Sequence, residues 1–162
     1  MEGLLSNTVL DFMGRFDVSI DSKGRMVIPA MFRRELGSEF VITKGPGKYL
    51  IIQTRETFTN IIRSIQGSGI DLITKSDANS VKRVLMANSY IGSVDKQGRT
   101  NIPGALLKKA HIEKDAVIIG MGDTLEVWSF NEWTSANEID EAAFEEKLNR
   151  LGGQGNPDIF DK

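Results

Sequence analysis

The chain has 162 residues, 40% of them apolar and 26% charged, with a formal net charge of −2 and no cysteine. Those values fit one ordinary globular domain, exclude disulfides and thiolate metal sites, and speak against a disordered class. No run of about 18 apolar residues is present, and Met1-Glu2-Gly3-Leu4-Leu5 lacks the basic and apolar regions of a secretory signal, so a cytoplasmic protein without a membrane partner is expected.

Residues 1–12 show little periodicity and read as an N-terminal arm, either flexible or a short strand. Phe16-Asp17-Val18-Ser19-Ile20 alternates strictly, which puts Phe16, Val18 and Ile20 on one face of a strand. The polar loop from Asp21 to Gly24 turns the chain, and Met26 to Ile28 returns as a short strand. Pro29 opens a helix over Ala30–Leu36 that Gly37 closes. Phe40-Val41-Ile42 and Tyr49-Leu50-Ile51-Ile52, joined through Gly45-Pro46-Gly47, form a hairpin. Thr54 caps a helix whose Phe58, Ile61, Ile62 and Ile65 make one apolar stripe. A second connecting helix begins near Ser76 or Asp77, with Val81, Val84 and Leu85 on one face and Lys82 and Arg83 on a solvated one.

The pattern then starts again. Asp21-Ser22-Lys23-Gly24-Arg25 with Ile28-Pro29 recurs 74 residues later as Asp95-Lys96-Gln97-Gly98-Arg99 with Ile102-Pro103. Phe16, Val18 and Ile20 correspond to Tyr90, Gly92 and Val94 at the same offset, and Leu50-Ile51-Ile52 and Phe58 to Leu125-Glu126-Val127 and Trp133 at 75. Each copy reads strand, polar loop, short strand, helix, strand, turn, strand, helix. Two copies are too few for a stacked array and point to a pseudo-dimer with a shared core. Ser129 and Glu132 have capping-box spacing ahead of the last helix of the second copy. Glu138 to Leu151 then reads as a charged amphipathic helix ended by Gly152-Gly153, followed by a disordered tail.

The chain thus divides into an arm (1–12), a first repeat (13–58), connecting helices (59–88), a second repeat (89–133) and an acidic C-terminal helix and tail (134–162). Between Asn137 and Lys162 seven acids stand against three bases, which leaves residues 1–136 with a net charge of +2. Much of that positive charge lies in or just after the repeated loops.

An Asp at a loop entrance can hold the turn's own backbone N–H groups, so Asp21 and Asp95, with Gly24 and Gly98, are loop-ordering residues. Arg25 and Arg99 at the loop exits carry planar charged forks suited to phosphate or to a guanine edge, and Lys23 and Lys96 add point charge. The same residues also suit a plain turn in which each Asp pairs with its Arg, and that alternative stays open here. Arg33, Arg34, Lys108 and Lys109 are secondary phosphate-contact candidates, with a solvated helix face as the other reading. His111, the single histidine, has no second His or Cys with which to hold a metal. Trp128, Trp133 and Phe58 lie in copied strand and helix positions and read as core or interface anchors. No metal, cofactor or small-molecule substrate is implied, and no nucleophile, base and orienting group recur together.

The paired Asp-x-x-x-Arg loops, each followed by Ile-Pro, and the ending Leu125-Glu126-Val127-Trp128 with Trp133 resemble the MraZ family of bacterial transcriptional regulators over about residues 13–135. The resemblance implies an α+β, mainly β fold: tandem AbrB-like (SpoVT-AbrB) swapped-hairpin repeats forming a pseudo-dimeric β-barrel, with connecting and C-terminal helices. It further implies a nucleoid-associated, ring-like, octamer-like homo-oligomer that binds direct repeats in double-stranded promoter DNA. The function implied is repression of the division and cell-wall gene cluster, including its own gene. Arg25 and Arg99 match the family's DNA-contacting positions, with Lys23 and Lys96 beside them. Departures are about ten extra N-terminal residues, Gln97 in place of Lys23, and Asn101 where an apolar residue is common, so the second loop is expected to bind more weakly. Competing readings are an AbrB-type antitoxin or developmental regulator, and a protein-interaction scaffold that does not bind DNA.

Overall fold

A computed structural model describes residues 10–67, 75–137 and 140–152. The first copy contributes β1 (Phe12–Ser19), β2 (Arg25–Val27), α1 (Ala30–Leu36), β3 (Phe40–Lys44), β4 (Tyr49–Thr54) and α2 (Arg55–Gly67). After α3 (Lys75–Ala87), the second contributes β5 (Ser89–Gly92), β6 (Arg99–Asn101), α4 (Gly104–Lys109), β7 (Asp115–Gly122), β8 (Leu125–Ser129) and α5 (Phe130–Asn137). The order of elements is the one the repeat predicts.

Six strands form an antiparallel sheet in the order β1-β7-β8-β4-β3-β5, and β2 pairs with β6 in a separate ribbon. Exchanging each strand for its counterpart in the other copy reverses this order and leaves it otherwise unchanged. The first copy's β1 pairs with the second copy's β7, while the second copy's β5 pairs with the first copy's β3. This is the swapped-hairpin pseudo-dimer expected from the sequence, and its pseudo-twofold runs between β4 and β8 in the sheet and through the facing residues Met26 and Thr100 in the ribbon. The sheet carries β1 and β5 as its two edges, and no pairing between them closes it among the described residues.

Alternation along the strands builds one core that both copies share. Ile42, Leu50, Ile52, Ile118, Leu125 and Val127 project from the sheet to meet Met26 and Ile28, Ile102, and Phe32 and Leu106 of the two short helices, all essentially inaccessible to water. Phe32 takes Phe12 and Phe16 edge-on at 5.7 and 5.1 Å. Such a core explains how two halves, each too small to bury much surface alone, fold together.

One expectation needs correction. The first strand begins at Phe12, four residues earlier than the alternation from Phe16 indicates. Gly14, itself exposed, stands between buried Phe12 and half-buried Phe16 where an apolar side chain would have continued the alternation, which hides the pattern. It faces Gly120, where a Cβ would run into the backbone of Phe12 and Met13, so this close strand approach needs glycine. On α3, Val81 and Val84 of the apolar face are 51% and 64% exposed. Trp128, read as a core or interface anchor, lies on the sheet face opposite the core, stacked on Tyr49 with ring centroids 4.6 Å apart.

Thr54 Oγ1 accepts the N–H of Thr57, capping α2, and α2 buries Phe58. The described residues up to Glu132 form one compact unit and those from Trp133 onward another. In the second, Asp140 caps α6 (Glu141–Gly152) through the N–H of Ala143, Arg150 pairs with Glu146, and Phe144 and Leu151 remain half exposed. Most of the N-terminal arm and the tail after Gly152 lie outside the described residues. No described helix is long and apolar enough to cross a membrane.

Candidate nucleic-acid interface

Each repeated loop is held by its own Asp in the same way. Asp21 Oδ1 accepts the backbone N–H groups of Lys23 and Arg25, both at 2.9 Å, and Oδ2 accepts Arg25 Nε at 2.6 Å. Asp95 does the same with Gln97 and Arg99, its Oδ2 accepting Arg99 Nε at 2.8 Å. Backbone bonds from Asp21 N to Arg25 O and from Gly24 N to Asp21 O close the first loop, and the second repeats them from Asp95 and Gly98. Gly24 and Gly98 sit at φ +79° and +76°, a region costly for a residue with a Cβ.

Both aspartates are stabilised as anions. The backbone N–H of Arg25 is the main reason that the Asp21 carboxyl titrates below its ordinary value, reinforced by the Arg25 side chain and the Lys23 N–H and opposed by partial desolvation. Asp95 is shifted in the same direction, by Arg99 and Gln97 in place of Arg25 and Lys23. Structurally, then, the Asp–Arg turn that the sequence allowed is made. It commits only the Nε of each guanidinium among the described residues, so it aims the fork without consuming the outer nitrogens.

The β2–β6 ribbon decides where the two forks stand. Arg25 lies opposite Asn101, Met26 opposite Thr100, and Val27 opposite Arg99. Met26 and Thr100 point into the core with no exposed surface. By strand alternation Arg25, Val27, Arg99 and Asn101 therefore share the outer face, the two arginines diagonal across it. Ile28 N donates to Gly98 O and Ile102 N to Gly24 O, so each copy's strand is also tied to the other copy's loop. Exposed Lys23 and Lys96 flank the face at the loop tips.

Reasoning from sequence missed Val27 and Asn101 as members of this face. They are counterparts in the repeat, each two residues beyond its loop arginine, and that spacing in a strand was the available signal. Of the secondary cations, Arg33 lies against Gly98, where a Cβ would come within 2.6 Å of its Cζ, whereas Leu107, its counterpart in α4, lies against Gly24. Exposed Arg34 stands 4.0 Å from Glu35, Lys109 Nζ donates to Asn88 Oδ1, and Lys108 is exposed. His111 adopts a positive φ of 58° at the end of α4, and its Nδ1 lies 3.0 Å from Glu132 Oε1. Glu132 also lies 3.7 Å from Lys48, and its N–H is capped by Ser129 Oγ at 3.0 Å, so only one half of the expected capping box forms there. An apolar groove of about 610 Å³ between the sheet and the α2–α3 pair is lined by Ile51, Phe58, Ile61, Val81 and Val84. No group of three metal-ligating side chains gathers among the described residues.

Comparison with known proteins adds a family to this geometry. Residues 12–79 and 85–154 match the family described as "MraZ protein, putative antitoxin-like". A protein of Caldanaerobacter subterraneus subsp. tengcongensis named "Transcriptional regulator MraZ" is 40% identical over 139 residues, covering 86% of this chain and 95% of its own. One from a Thermoanaerobacter species with the same name is 39% identical over the same shares of the two chains. Another from Desulforamulus reducens is 35% identical over 135 residues, 83% of this chain and 93% of its own. The chain belongs to the MraZ family.

Proposed function

For this member of the MraZ family, we propose a sequence-specific, DNA-binding transcriptional regulator whose reading surface is the outer face of the β2–β6 ribbon with its two loops. The observation that carries this reading is the pairing of β2 with β6, which sets Arg25 and Arg99 diagonally on one exposed face, each fork aimed by its own Asp. A two-stranded ribbon fits the major groove of B-DNA, and an arginine fork there matches the O6 and N7 acceptors of guanine. Arg25 and Arg99 are the base- or phosphate-contacting residues, Lys23 and Lys96 the flanking phosphate contacts, and Asp21, Gly24, Asp95 and Gly98 the residues that hold the loops. The names of the relatives support the regulatory role.

The further details rest on resemblance to the family. The regulator represses the division and cell-wall gene cluster with its own gene, works in the cytoplasm on the nucleoid, and is not an enzyme. It binds direct repeats as a ring-like, octamer-like homo-oligomer. Oligomerisation also has a physical motive. A single chain brings two loops with few cations, while DNA affinity grows with the number of phosphates neutralised, and linked copies multiply the contacts. Exposed Val81, Val84 and Ile91 give such an assembly apolar surface to bury.

The test is a mobility-shift titration of a duplex from the region upstream of the protein's own gene against a scrambled duplex, with particle mass followed in parallel. Selective retardation by a multi-subunit species supports the reading. Equal or absent retardation of both duplexes refutes it and leaves the ribbon as a scaffold for protein contacts.

A further inference from the structure

The pseudo-twofold that relates the loops is broken by what lies on their glycines. α1 leaves the ribbon beside the second loop because Ile28 N is bonded to Gly98 O, and α4 leaves beside the first because Ile102 N is bonded to Gly24 O. One turn into each helix, the residue that folds back over the other copy's loop is Arg33 in α1 and Leu107 in α4. A Cβ on Gly98 would fall on the Arg33 guanidinium, with Cζ at 2.6 Å and Nε at 3.2 Å. The Nη1 end of that side chain therefore lies nearest the bare peptide at Gly98, which Arg99 follows in sequence. At the first loop the equivalent neighbour is the Leu107 methyl, 3.7 Å from a Cβ on Gly24.

We propose that Arg33 is a phosphate-binding residue of the second loop's surface, so that the two reading loops are unequal: Lys96, Arg99 and Arg33 at the second, Lys23 and Arg25 at the first. The inference rests on the proposed DNA-reading role of the ribbon and extends it to a residue from the opposite copy. Arg33 suits the task because its charge is not spent: among the described residues no carboxylate pairs with it, whereas Arg25 and Arg99 each hold an Asp and Arg34 stands by Glu35. Half-buried on the glycine, the long side chain is also pre-ordered, which lowers the entropy lost when it meets a phosphate. The second loop's loss of a lysine at Gln97, read from sequence as weakness, is thereby offset from the other copy.

A structural cover over Gly98 and a phosphate contact differ in salt dependence. Each phosphate contact contributes about 0.9 to the slope of log affinity against log salt, so a fourfold rise in salt weakens it about 3.5-fold. The assay is fluorescence anisotropy with the upstream duplex and a random-sequence duplex, from low to moderate potassium chloride, on wild type, Arg33→Gln, Arg33→Lys and Arg25→Ala. Arg33→Gln should bind both duplexes more weakly, with a shallower slope by about 0.9 per engaged subunit, and Arg33→Lys should restore most of the slope. The assignment fails if Arg33→Gln keeps the wild-type slope, whether or not affinity falls, while Arg25→Ala loses binding. Absence of binding by wild type to either duplex overturns the DNA reading itself, and with it this extension.

Discussion

The two copies of the repeat share a backbone design and diverge in the side chains that face outward. Asp21 and Asp95 make the same three hydrogen bonds, and Gly24 and Gly98 take nearly the same φ. Around that frame Lys23 is replaced by Gln97, Val27 by Asn101 and Arg33 by Leu107. Local hydrogen bonding that sets the shape of a loop has been kept twice, while the groups that would touch a ligand differ. A symmetric frame with an asymmetric face suits a target that is itself not palindromic, such as a direct repeat, because the two ends of the ribbon meet different chemistry.

The comparison is tested first at the pseudo-axis, where Met26 and Thr100 face each other in the core with no exposed surface. Met26→Ala leaves a cavity shared by both copies and should cost about 2–5 kcal/mol of unfolding free energy in a denaturant titration. On the DNA side, Arg25→Ala and Arg99→Ala should each cost about 1–3 kcal/mol of affinity per loop. With Arg33 beside the second loop, Arg25→Ala should be the more damaging of the two, and equal losses would remove the inequality.

Smaller effects sharpen the contrast between frame and face. Gly24→Ala and Gly98→Ala both force a Cβ into positive φ and should destabilise by about 1–2 kcal/mol in thermal unfolding. Only Gly98→Ala also displaces Arg33, so its effect on the salt slope should exceed that of Gly24→Ala. Thr100 carries a buried Oγ1 with no hydrogen-bond partner among the described residues. Thr100→Val should therefore stabilise by about 1 kcal/mol, opposite in sign to its counterpart Met26→Ala.

Acid should affect both loops alike. The Asp21 and Asp95 carboxyls have folded pKa values below their ordinary 3.8, so the order they impose is complete above that value and is lost as pH falls through the lower folded values. Amide spectra of the loop residues should hold constant from about pH 5 to 8 and change together only in strong acid. Separate transitions for the two loops would contradict their shared frame.

Much of this was legible in the sequence because it is local. The Asp, Gly and Arg of each loop satisfy one another within five residues, and Pro29, Leu36 and Gly37 bracket a helix whose bounds were read to the residue. What was not legible depends on contacts between copies. The position of Arg33 over Gly98 follows from the Ile28–Gly98 hydrogen bond, 70 residues apart in sequence, and no local pattern encodes it. The start of β1 at Phe12 was masked by Gly14, which puts no side chain between Phe12 and Phe16 to continue the alternation. Helical spacing on α3 gave an apolar face correctly as a pattern, but spacing does not say what covers it, and Val81 and Val84 stay exposed.

The most direct test of the ribbon as a DNA-reading surface is the salt dependence of upstream-duplex affinity for the double variant Arg25→Ala/Arg99→Ala beside wild type, with particle mass measured on the same samples. Both arginines lie on the outer face and leave the core untouched, so the variant should keep its assembly and lose specific binding, with a shallower salt slope. A double variant that still prefers the upstream duplex with an unchanged slope would contradict the account and assign the repeated loops a purely structural role.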